Sequence, residues 1–162
     1  MSDDDGSELS VTAFFEYCRT QARLLSGRAE TMRSDVDDLL EEIDDDLETI
    51  RGRLTDHAND REGPTAGPAG TDLDVTELEE LESTVETKQA LVEAKQARLA
   101  AFQELAADYA DLAAELHSEI DDGHEAMERV IRFELEHDAP VYFDDRQTVA
   151  EAAAESNDQR DE

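Results

Sequence analysis

Apolar residues recur along most of this chain at alternating intervals of four and three. Val11, Phe15, Cys18, Ala22, Leu25, Ala29, Met32, Val36, Leu39 and Ile43 form one such series. After a phase shift where Leu39 and Leu40 are both apolar, it continues through Leu47, Ile50 and Leu54. That interval places every member on one helical face, as a heptad seam. Ser7 or Ser10 is placed to cap its start. A second series is more regular. Leu78, Leu81, Val85, Lys88, Val92, Lys95, Leu99, Phe102, Ala106, Tyr109, Ala113, Leu116 and Ile120 keep the alternation, and its phase runs on through Gly123, Met127 and Val130. Asp121-Asp122-Gly123 is a point where this second helix can kink or break.

Between the two series, residues 62–72 hold two of the three prolines and three of the seven glycines, which no helix survives. Thr71 or Asp72 can cap the second helix. His137-Asp138-Ala139-Pro140 ends it, because the residue before a proline avoids the α region. Val141-Tyr142-Phe143 reads as extended, and Asp144 or Asp145 as the cap of a short alanine-rich helix. The expected organisation is a disordered acidic tail over 1–7, then a single helical domain over 8–155, then a disordered tail over 156–162. Within the domain we expect a helix over 8–61, a Gly/Pro loop over 62–72, a helix over 73–137 and a short helix over 145–155. The fold class is all-α: a long antiparallel two-helix coiled-coil hairpin, its short C-terminal helix packed at the end opposite the loop.

Charge selects the antiparallel orientation. Residues 35–48 carry nine acids and no base. Folding about residue 67 sets them opposite 86–99, where the chain's only lysines, Lys88 and Lys95, lie with Arg98. The arginine-rich stretch 19–33 then falls opposite 101–115, which has four acids and no base. A parallel pairing would set acid against acid, and flanking charges choose between such pairings. Lys88, Lys95 and Arg98 are therefore the register-setting residues, the two lysines packing their stems along the seam while their ammonium groups reach the opposite acids.

Aromatic residues gather at the other end. Phe14, Phe15 and Tyr17 open the first helix, while Phe133, Tyr142 and Phe143 close the second. The hairpin brings them together as a small head, and Phe14, Phe15, Phe133, Tyr142 and Phe143 are the candidate partner surface. The stripe on the second helix also widens at Leu105 and Leu112, and on the first at Leu24. Such width calls for either the C-terminal segment or a second molecule.

Little here points to chemistry. Glu134-Leu135-Glu136-His137 has the Glu-x-x-His spacing of di-metal carboxylate bundles, but a second such motif is missing. Asp44-Asp45-Asp46 lacks the glycine turn of a calcium loop. No phosphate-cradling glycine loop, zinc-type cysteine pair or nucleophile elbow occurs. We expect no catalytic, cofactor or metal residues and no enzyme. Cys18, the only cysteine, reads as a small buried hydrophobe.

The net charge is −31, with 45 acids against 14 bases and arginine far commoner than lysine. Such a chain repels nucleic-acid phosphates and anionic lipid, so neither nucleic acid nor membrane insertion is expected. The acid-rich, lysine-poor composition resembles that of cytoplasmic proteins of salt-in halophilic archaea. The sequence therefore reads as a cytoplasmic, non-catalytic interaction or scaffold protein with a protein partner, a second copy of itself among the candidates. A client-holding cochaperone and a carboxylate-rich metal protein are the rival readings.

Overall fold

The computed structural model describes residues 10–62 and 75–160, and the elements there are all helical. α1 spans Val11–Glu62, α2 Val75–Glu119, α3 Gly123–Glu136 and α4 Val149–Arg160, with one 3-10 turn at Ala139–Tyr142. The expected tail over 1–7 and the loop beyond Glu62 lie outside the described residues. The chain divides into two compact units, one formed by residues 31–99 and the other by the segments on either side.

In the unit of residues 31–99, α1 and α2 run antiparallel. Arg53 meets Glu77 at 2.8 Å, Lys88 meets Asp46 at 2.9 Å and Glu42 at 3.2 Å, and Lys95 meets Asp35 at 3.8 Å. Numbers rise along one helix as they fall along the other. Each pair adds to 130 or 134, beside the 134 expected from a fold about residue 67. Beneath these pairs Val36, Ile43, Val85 and Val92 are buried, with Leu39 and Ile50 packed against them. Val36 and Ile43 on α1, and Val85 and Val92 on α2, are seven residues apart, so each pair shares one helical face. Burying each such side chain contributes about 1.5–3 kcal/mol, so the seam outweighs these partly exposed ion pairs.

The other unit holds the start of α1, the end of α2, and everything C-terminal to it. Ser10 caps α1, its Oγ accepting from Ala13 N at 3.3 Å. α1 and α2 are again antiparallel: Phe15 packs on His117 at 5.1 Å, and the Arg28 guanidinium lies over Phe102 at 5.7 Å.

α2 does not continue to residue 137, which corrects the expectation of one helix over 73–137. It ends at Glu119, and Asp122 takes an extended conformation (φ −104°, ψ 130°) with its side chain accepting from Glu125 N at 3.0 Å. An aspartate that can cap competes with continuation of the helix. α3 folds back antiparallel on α2, as Arg129 to Glu115 (2.6 Å) and His137 to Asp108 (3.6 Å) require. It buries Ala126, Val130, Phe133 and Glu134, so Val130 of the extrapolated series is buried while Gly123 and Met127 are only half-buried. Leu105 and Leu112 are covered at 4% and 2% exposure, which answers the widened stripe on α2 from within the chain, whereas Leu24 on α1 stays 39% exposed.

α3 stops at His137, and Asp138 adopts a left-handed φ of 52°. This is the C-terminal residue position that glycine usually takes, and aspartate tolerates it better than most. Val141 and Tyr142 are not extended but close the 3-10 turn, and Phe143 follows it at φ −124°, ψ 88°. Pro140 sits in the first turn of the 3-10 helix, whose φ it suits. The last helix begins later than expected and runs through 156–160, where the sequence predicts a disordered tail. Its cap is neither Asp144 nor Asp145 but Thr148. Thr148 N donates to Glu151 Oε1 at 2.9 Å and Glu151 N to Thr148 Oγ1 at 3.2 Å, a reciprocal capping box.

Candidate functional site

Two features of the unit containing α3 and α4 are candidates, one buried and one open. The buried one centres on Glu134, a carboxylate with no exposed surface. The Tyr17 and Tyr109 hydroxyls each donate to its Oε2 at 2.6 Å, and Ala150 N donates to its Oε1 at 2.8 Å. The Tyr17 oxygen in turn accepts from Gln21 Nε2 and from Val149 N, both at 3.1 Å. One glutamate of α3 thus ties α1 and α2 to the first turn of α4, whose amides no preceding turn satisfies. Gln21 Oε1 is buried without a partner among the described residues.

Burial and the Glu134 carboxylate both push the tyrosine hydroxyls above the ordinary phenol range. The Cys18 thiol, fully enclosed beside them, is pushed up to about 12, chiefly by burial and then by Glu134. A thiol held protonated is a poor nucleophile. With its oxygens committed to hydrogen bonds, the cluster is built to hold helices together.

Glu134 and His137 do not converge on a metal position. His137 turns to Asp108 and stacks on Phe133 at 4.3 Å, while Glu134 faces the tyrosines. Among the described residues no group of three or more His, Cys, Asp or Glu side chains could hold a metal ion, and no helix is long and apolar enough to cross a membrane.

The open feature is a groove of about 650 Å³ between α1 and α2. α1 contributes Phe15, Arg19, Ala22, Arg23 and Ser26, and α2 contributes Gln103 and five alanines. Of these, Ala107, Ala110 and Ala114 are exposed while Ala106 and Ala113 are buried at its base. Positions 103, 107, 110 and 114 share one helical face and carry no charge, in a chain that is 36% charged. The arginine wall is exposed, with Arg19 lying 5.6 Å over the Phe15 ring.

Of the five aromatics put forward for a partner surface, Phe133 and Phe143 are each 4% exposed, and Phe143 lines a separate open pocket with Leu24, Arg28, Asp145 and Arg146. Tyr142 is half-buried edge-on against Phe102, and Phe14 is half-buried on α1. Phe15 alone lines the groove. Lys88 and Lys95 lie against the acid block in the other unit. Asp46, and then Glu42, hold the Lys88 ammonium above the usual lysine range. Arg98 is exposed on α2 in that same unit.

Neither feature emerges from the sequence pattern alone. The uncharged stripe on α2 is readable as a second heptad face, but alanine is also the best helix former and draws no notice. Glu134 reads as half of a metal motif. Its place in the apolar phase of Val130 and Phe133 is the better signal. No protein-family model, curated protein or solved structure matches this chain.

Proposed function

We propose that this protein is a non-catalytic helical interaction module of a salt-rich cytoplasm, which docks a protein partner in the groove between α1 and α2. The observation that carries the reading is the groove itself: an uncharged, alanine-floored face with an arginine wall, left open on an otherwise acidic surface. Small side chains let another helix approach to about 8–10 Å between axes. An arginine rim favours a partner edged with carboxylates. The buried Glu134 cluster supports this role by fixing the helices that frame the groove. The acid-rich, lysine-poor surface supports the salt-rich setting, where screening removes much of the self-repulsion.

The test is comparative capture from an extract of the source cells at their own salt. Bait protein is compared with its Ala110→Arg variant, which fills the groove from an exposed position and leaves the core alone. Proteins retained by the parent and lost with the variant support the reading. Equal retention by both would place the partner surface elsewhere.

A further inference from the structure

The groove has two edges of opposite charge, and neither is neutralised internally. Successive residues of a helix turn by about 100°. The face of α2 therefore passes from buried Ala106 and Ala113, on the α1 side, across Ala110 and Ala107 to Glu104 and Asp111 on the far side. Both acids are exposed, as are Arg19 and Arg23 on the opposite wall. Among the described residues no ion pair engages any of the four. The arginines are level with the acids along the helices but lie on the wrong side of α2 to reach them.

We infer that the groove is filled by the same groove of a second copy of this chain, the two related by a two-fold axis parallel to the helices. This rests on the reading of the groove as a protein-docking surface and names its occupant. Such an axis lays α1 of each copy on α2 of the other, so that all four neighbouring helices are antiparallel, as in a four-helix bundle. It also brings the arginine wall of one copy onto the acid edge of the other, twice. In this unit facing residues of α1 and α2 have numbers adding to 130–132, as Arg28 with Phe102 and Phe15 with His117 show. A two-fold axis along the helices preserves that level. Arg19 then stands level with Asp111 of the second copy, and Arg23 stands between its Glu104 and Asp111. An unrelated acidic helix would satisfy the arginines but leave Glu104 and Asp111 facing solvent or acid. Only a surface with both edges satisfies both. The rim pairs set orientation, while burial of the alanine faces and Phe15 supplies the attraction. The net charge of −31 opposes pairing at low salt, and molar salt shortens that repulsion to about 3 Å.

Light scattering after size exclusion, in molar potassium chloride at tens of micromolar chain, tests this directly. The parent should show twice the 18.0 kDa chain mass. Ala110→Arg should weaken self-association by about tenfold or more, which is about 1.4 kcal/mol, with unchanged helicity. Two charge variants make the test specific: Arg19→Glu with Arg23→Glu, and Glu104→Arg with Asp111→Arg. Each alone should be monomeric and the mixture should form a heterodimer, because acid then meets base on both sides. A parent of single-chain mass at every concentration, or a dimer indifferent to Ala110→Arg, overturns the proposal. A monomeric parent that still captures another protein through the groove refutes the second copy and keeps the docking reading. Failure of both experiments refutes both.

Discussion

Glu134 sits one residue after Phe133 and four after Val130, in the apolar phase of α3. A carboxylate buried there costs several kcal/mol unless its oxygens are hydrogen-bonded. Tyr17, Tyr109 and Ala150 N supply those bonds. Glu134→Ala leaves two phenols and an amide unsatisfied, so chemical denaturation should show a loss of roughly 3 kcal/mol or more. The tyrosines add a pH signature. Their folded-state pKa values are raised, so their contribution is complete below about pH 10, the ordinary phenol value, and declines above it. For the fully buried Tyr109 the limiting slope is about 1.4 kcal/mol per pH unit. Half-buried Tyr17 should contribute less because solvent screens it. Tyr109→Phe should therefore be less stable than the parent at pH 8 but lose less between pH 10 and 11. An unchanged alkaline slope would show that Tyr109 is not held protonated by the fold.

At the scale of elements, the heptad seams and the charge blocks are legible in the sequence because both are periodic and long. Lys88 interrupts the apolar series without interrupting the helix, and its two carboxylate partners lie within four residues of each other on α1. Reversing Lys88 to glutamate should lower the melting temperature, and Asp46→Lys added to it should recover part of the loss. Additive losses in the double variant would show that the two do not interact. Less legible is the point where one helix yields to the next. The apolar phase passes through 120–123 almost unbroken, so periodicity alone extends α2 by a full helix. The deciding feature is local, the Asp122 side chain capping Glu125 N. The start of α4 is misread for a related reason. Asp144 and Asp145 suit a cap by residue type, but only Thr148 has the matching glutamate three residues on. The groove is invisible at this scale, since it depends on which face α3 and α4 leave uncovered.

For the molecule as a whole, the distribution of charge matters more than its amount. The acid block of 35–48 meets the two lysines within its own unit, whereas Arg19 and Arg23 remain directed outward beside an uncharged face. If self-repulsion among 45 acids limits folding, helicity by circular dichroism should fall sharply between molar and millimolar salt. Equal helicity and equal melting temperature at both would contradict the salt-rich setting. The claim that the groove is the working surface has its own direct test in thiol labelling. Cys18 is buried, with its thiol pushed up to about 12, so a cysteine introduced at Ala110 can be followed alone, with Ser83→Cys in the other unit as reference. In molar potassium chloride, Ala110→Cys should label about tenfold more slowly with excess parent chain added than alone and dilute, while the exposed Ser83→Cys keeps its rate. Equal rates at Ala110→Cys in the two conditions would contradict the account.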